Sequence, residues 1–264
     1  MDLNQVAKLV SEQYSGNKGV DGIFIAGSVS RGWEDLYSDI EVHVLWNQDP
    51  SVDERMSPVY HLDGDLISFY PYEDEEWSEA YRLPNGVKIE MSHFLTETVV
   101  RWVEDVVEKG LTNALKQCVV ASVHYGLILY GEQWIQPLKQ KTTIYPDILS
   151  ENMVLQHLDL GNSWSSRAAL VEREDWLLLY EVLCSVMKQL NGVLFGLNRM
   201  YVQHPSYKWL RQNVRGMRSK PLNLEERYTR VLLSHPKEGV IELESIVDEV
   251  QQLAEKEGYT LQEV

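Results

Sequence analysis

The sequence predicts an α+β protein, with a small mixed β-sheet domain over residues 1–95 and an all-helical domain over residues 96–264. Short apolar runs bounded by Gly, Pro and Asn crowd the first part of the chain. Longer stretches with apolar residues every three to four positions fill the rest. Strands first and helices second argue α+β. The 264 residues, 44% hydrophobic and 24% charged, suffice for two modest domains with their own cores.

Leu3, Val6, Leu9 and Val10 give residues 3–14 one apolar face, a short helix leading into the first strand. GIFIAG (22–27) has strand character, and a Gly-Ser turn with a short helix near 30–36 leads to DIEVHVLW (39–46), a second strand. Apolar runs near 57–70 and 86–94 complete the sheet, and Asp63-Gly64-Asp65 is expected as a hairpin turn. Pro84, Asn85 and Gly86 form the next turn. After it Val87, Ile89 and Met91 alternate with Lys88, Glu90 and Ser92, as in a half-buried strand. Residues 96–110 form a helix with Thr96 as N-cap and Gly110 as stop. Residues 111–131 start as a helix and become ambiguous beyond Tyr125. Residues 145–175 and 175–201 read as long helices, the second the spine of its domain, and 224–234 and 242–258 as later ones. Cys118 and Cys184 lie in apolar helical surroundings without CxxC spacing, which predicts buried free thiols.

The segment richest in chemistry is GSVSRGWEDLYSDIE (27–41). Side chains at i and i+2 of a strand share a face, so Asp39 and Glu41 project together while Ile40 and Val42 enter the core. Adjacent carboxylates repel each other unless a cation sits between them. Hard oxygen ligands with open coordination positions suit Mg²⁺, which combines one or two carboxylates with substrate phosphates. The turn at Gly27-Ser28 supplies backbone N–H groups and a hydroxyl for phosphate oxygens. His43 shares the face of Asp39 but is expected to be structural, and His93 and His124 show no partner in the sequence.

Gly27-Ser28, Arg31 three residues on, and Ser38-Asp39-Ile40-Glu41 together resemble the signature of the polymerase-β-like nucleotidyltransferase superfamily. Within it the likeness is to kanamycin-type aminoglycoside nucleotidyltransferases and uncharacterised bacterial relatives, and it is specific over about residues 20–94. The resemblance implies a third metal ligand on a neighbouring strand, a role that falls to Glu90 by position. It implies two Mg²⁺ ions held by Asp39, Glu41 and Glu90 and a nucleoside triphosphate substrate. Gly27 and Ser28 would face its phosphates, and Arg31 would offset leaving-group charge. It also implies a sheet domain for metal and nucleotide (1–95), a helical domain shaping the acceptor pocket (96–264), and an active site in the cleft between them.

In the kanamycin-type enzymes a Glu of the second domain serves as general base, with a Lys one turn further along. Placing Lys188 and Asn191 against their counterparts puts Cys184 where that base would be, with Glu181 one turn earlier on the same face. Glu181 is therefore the candidate base at a displaced position. NRMYVQHPSYKWLRQ (198–212) concentrates basic and aromatic groups in an acidic chain. Lys208 is its candidate phosphate contact; the alternative is an interhelical turn in which Tyr207 and Trp209 pack.

The net charge of −16, from 24 basic and 40 acidic residues, disfavours a nucleic-acid partner, which needs a basic stripe. MDLNQVAKLV lacks the basic-then-apolar pattern of a secretion signal, and no membrane span is expected, so the expected location is cytoplasmic. The expected partner is a small-molecule hydroxyl acceptor, which the resemblance makes aminoglycoside-like, and the resemblance is compatible with a homodimer. The alternatives are an enzyme that attaches AMP to a partner protein and a non-catalytic nucleotide sensor.

Overall fold

The computed structural model describes residues 2–259. They form an α+β protein with two compact units. One contains the chain up to Glu108 together with Lys116–Ile144; the other contains Lys109–Leu115 and the chain from Tyr145 onward. The sheet-bearing unit thus continues beyond residue 95, where the sequence reading divides the chain.

That unit holds α1 (Leu3–Tyr14), β1 (Val20–Ile25), β2 (Ile40–Trp46), α2 (Val52–His61), β3 (Asp65–Glu73), β4 (Glu76–Arg82) and β5 (Lys88–Leu95). They are followed by α3 (Thr96–Val107), most of α4 (Ala114–Tyr125), β6 (Leu127–Tyr130) and α5 (Glu132–Thr142). The strands lie in the order β3-β4-β5-β2-β1-β6. Only β2 and β5 pair in parallel; the other neighbours are antiparallel. The sheet is mixed because α2 and the β3–β4 hairpin return the chain beside β2.

On one face of the sheet Ile40, Val42, Val44, Ile89 and Met91 pack with Val6, Val10 and Tyr14 of α1 and Met56 and Val59 of α2. On the other face His43 lies between the rings of Phe24 and Phe94, and Phe94 meets Trp102 of α3 edge-on. Alternation along β2 therefore assigns Ile40 and Val42 to a core and leaves Asp39 and Glu41 on the opposite side.

Several local expectations need correction. Residues 52–61 are helical: Ser51 Oγ accepts from Glu54 N, and the Glu54 carboxylate accepts from Ser51 N. This capping box starts a helix where an apolar run suggested sheet. The Asp63-Gly64 turn consequently joins α2 to β3 instead of closing a hairpin. The short helix near 30–36 is a single 3-10 turn, Val29–Arg31. Thr96 is the first helical residue of α3, Leu95 holds the N-cap position, and the Thr96 hydroxyl donates to Asp21 Oδ2 at 2.6 Å.

The second unit contains α6 (Asp147–Leu158), α7 (Asn162–Ser165), α8 (Arg167–Glu172), α9 (Trp176–Leu197), α10 (Leu210–Gly216), α11 (Leu224–Leu233) and α12 (Pro236–Lys256). The expected helix over 145–175 is interrupted at Gly161, whose φ of +75° no helix accommodates. α12 begins at Pro236, earlier than expected, because proline at the first helical position presets φ. α9 is long and apolar enough to cross a membrane by length and composition. It packs along α6, α8 and α12 as the core helix of its unit. Close approach to α6 requires Gly192, where a Cβ would lie 2.1 Å from the His157 ring. Cys184 faces outward and is exposed, contrary to the buried thiol expected there.

Candidate functional site

Asp39 stands immediately before β2, and Glu41 is the second residue of that strand. The parallel register pairs Glu41 with Glu90 and Ile40 with Ile89. One acidic side chain from each strand thus meets across the pair, with Asp39 at its end. Carboxylate oxygens of Asp39, Glu41 and Glu90 all lie within 4.8 Å of one another. The structure brings together the three carboxylates that the sequence singled out.

The cluster also contains Lys88. Its Nζ lies 3.3 Å from Asp39 Oδ2 and donates a hydrogen bond to Glu90 Oε1. The Glu90 hydrogen bond, with help from Asp39, raises the Lys88 pKa above its ordinary value, so the ammonium is charged at neutral pH. Sequence reasoning recognised Lys88 only as a neighbour for Glu90. The signal for its contact to Asp39 was the strand register, which a single sequence does not disclose.

Gly27 shapes the other side. Its φ is +62°, and a Cβ there would lie 2.4 Å from the carboxyl carbon of Glu41. Glycine is required on both counts: left-handed backbone and close approach of the Glu41 side chain. Among the described residues, neither the Gly27 nor the Ser28 N–H donates to a backbone oxygen. Consecutive N–H groups at such a turn form an anion-accepting concavity. Ser28 is buried, and its hydroxyl donates to Ser38 Oγ at 3.4 Å. Asp35 orders the intervening loop: its carboxylate accepts from Tyr37 N at 2.9 Å and its N–H donates to Ser38 Oγ at 2.9 Å.

Arg31 is partly buried, with its guanidinium over the rings of Tyr125 at 4.2 Å and Trp33 at 5.1 Å. Burial lowers its pKa to about 10, which Tyr125 and Glu41 oppose, so it remains a cation at neutral pH. Its Nε is buried without a hydrogen-bond partner. Cys118 adjoins this group, and burial pushes its thiol up to about 12, where it is not a nucleophile. His43, two residues beyond Glu41, is buried and lowered to about 4 by burial and by His93, so it is neutral. It is structural, as expected.

Behind the cluster, a buried polar network braces β4 against β5. Arg55 Nε lies 2.9 Å and Nη2 2.6 Å from Glu79 Oε2, and His93 Nε2 is 2.5 Å from Glu79 Oε1. Trp46 Nε1 donates to His93 Nδ1 at 3.0 Å, so the His93 proton sits on Nε2 and points at Glu79. His124, the other histidine without a visible partner in sequence, meets Thr142 Oγ1 at 3.2 Å.

A groove of about 940 Å³ opens beside the carboxylates. Asp39 and Lys88 line it together with Arg82, Leu36 and Tyr37. Leu36 and Tyr37 are almost fully exposed, at 100% and 94%.

The other sequence candidates belong to the helical unit. Glu181, Cys184 and Lys188 share an exposed stripe of α9. Lys208 is exposed in the loop between α9 and α10. In that loop Tyr207 is buried edge-on against Phe195 at 5.1 Å, and Arg199 pairs with Asp147 at 2.6 Å. Tyr207 therefore packs as an interhelical turn requires.

Residues 113–210 match a family model described as a domain of unknown function (DUF4037). The match lies outside the segment carrying the carboxylate cluster. No curated protein matches the chain. Among solved structures, an aminoglycoside 6-adenyltransferase from Bacillus subtilis is similar with a TM-score of 0.36 and 9% sequence identity, over 98% of this chain and 92% of that one.

Proposed function

We propose that this protein is a metal-dependent nucleotidyltransferase that moves a nucleoside monophosphate from a nucleoside triphosphate to a hydroxyl of a small molecule. The observation that carries the reading is the meeting of Asp39, Glu41 and Glu90 within 4.8 Å, beside the Gly27-Ser28 turn. The donor set fits a hard divalent cation such as Mg²⁺: three carboxylates on paired strands, with Gly27 leaving room for the Glu41 carboxyl group. Bound ions at such a site stabilise charge on the attacking and departing oxygens of an in-line displacement.

The chain's own groups supply the rest. The N–H groups of Gly27 and Ser28 donate to phosphate oxygens, and the Ser28 hydroxyl, released from Ser38, adds a donor. Arg31, a cation at neutral pH, offsets charge on the leaving pyrophosphate. The roles of general base for Glu181 and of phosphate contacts for Lys188 and Lys208 rest on the sequence resemblance. Strong acidity favours a neutral or cationic acceptor over nucleic acid, and an aminoglycoside-like compound has that character.

Incubation with Mg²⁺ and labelled nucleoside triphosphates against a panel of hydroxylated acceptors tests the reading. Transfer should fall by about 100-fold or more in Asp39→Asn and in Glu41→Gln. Transfer that persists in both variants would sink the mechanism.

A further inference from the structure

We propose that Lys88 is the resident cation of the carboxylate cluster. It holds Asp39 and Glu90 together until a divalent ion enters, and it is then freed to engage an anionic group of the substrate. The inference rests on reading the cluster as a metal site and assigns a regulating side chain to it.

Three carboxylates and one ammonium leave two net negative charges in the cluster. Exchange of Lys88 for one dication leaves a single net negative charge on the three carboxylates. A second dication becomes favourable only when substrate phosphates bring further negative charge. The β2–β5 register explains why one lysine reaches both strands. Ile40 faces Ile89, so Asp39 lies across from Lys88, two residues before the Glu41–Glu90 pair. Lys88 and Glu90 share a strand face at i and i+2.

Lys88 is also free to move. Its side chain is 32% exposed, lines the groove beside Asp39, and swings on a four-carbon stem as a compact point charge. Its ammonium occupies carboxylate oxygens that a metal ion would use, so the two cations compete. A divalent ion that takes Asp39 and Glu90 repels the ammonium toward the groove, where a phosphate oxygen is its best counter-charge.

The two halves predict effects of opposite sign for one substitution. Binding of Mn²⁺ alone is measured by electron paramagnetic resonance on the full chain. Binding of α,β-methylene-ATP is then measured in saturating Mn²⁺. Lys88→Met, which keeps the stem without the charge, should bind Mn²⁺ about tenfold tighter and the nucleotide analogue about tenfold weaker than the unsubstituted protein. Lys88→Gln should behave the same way, and Lys88→Arg should keep the weaker Mn²⁺ affinity. Asp39→Asn should abolish the tight Mn²⁺ site in the Lys88→Met background.

Equal Mn²⁺ affinity with and without the lysine would overturn the resident-cation role and leave the metal site standing. Tighter Mn²⁺ with unchanged nucleotide affinity would overturn the release toward substrate. Loss of both affinities in the folded Met and Gln variants would make Lys88 a brace for the cluster, against the proposal. Absence of Mn²⁺ binding in every form would overturn the metal reading itself.

Discussion

Gly27 shows how one missing methyl group governs the candidate site. Its backbone is left-handed, and a Cβ would lie 2.4 Å from the carboxyl carbon of Glu41. Gly27→Ala should cost about 1–2 kcal/mol from the left-handed backbone alone. Urea unfolding reads that loss. The larger effect should appear in Mn²⁺ affinity, because Glu41 must turn away from Asp39 and Glu90. An alanine variant with native Mn²⁺ affinity would mean that the Glu41 carboxylate has no part in holding the ion. Asp39, Glu41 and Glu90 were all legible as strand residues on a polar face. Lys88's bridge to Asp39 was not, because it depends on which strand lies beside which.

At the scale of elements, β4 and β5 depend on a carboxylate hidden behind the site. Glu79 receives Arg55 and His93, all three buried. Burial alone would raise the Glu79 pKa, but His93 and Arg55 outweigh it and hold it below the ordinary carboxylate range. A carboxylate with a depressed pKa in the folded state stabilises the fold above its unfolded value of about 4.3, and that contribution is lost as pH falls through the folded value. Glu79→Gln leaves Arg55 buried without its counter-charge and should cost about 3–5 kcal/mol at neutral pH. Urea unfolding between neutral and acidic pH checks both statements. A variant as stable as the parent would show that the network contributes nothing.

The same scale separates what local pattern reveals from what it hides. α1, β1, β2, β5 and α9 follow from apolar spacing. α2 was hidden because Met56 and Val59 continue an apolar run, although Ser51 and Glu54 carry the helix-start signature. The break at Gly161 and the return of β6 to β1 are decided by backbone angle and tertiary pairing, which spacing does not encode. In the loop before α10, Tyr207 and Trp209 adopt positive φ, so aromatic character there reflects packing and local geometry as much as chemistry.

For the whole molecule, the α+β class was legible, and the six-stranded order β3-β4-β5-β2-β1-β6, with its late strand β6, was not. That order matters for function because it sets β2 beside β5 in parallel and so assembles the carboxylates. The net charge of −16 gives the chain as a whole an excess of negative charge that favours cations over anions. The most direct measurement is a crystal structure of the protein grown with Mn²⁺ and α,β-methylene-ATP, read by anomalous scattering. The account predicts a manganese peak about 2.0–2.3 Å from oxygens of Asp39, Glu41 and Glu90, with triphosphate oxygens on the Gly27-Ser28 turn. Manganese bound elsewhere, or nucleotide bound away from that turn with the cluster still closed on Lys88, would contradict it.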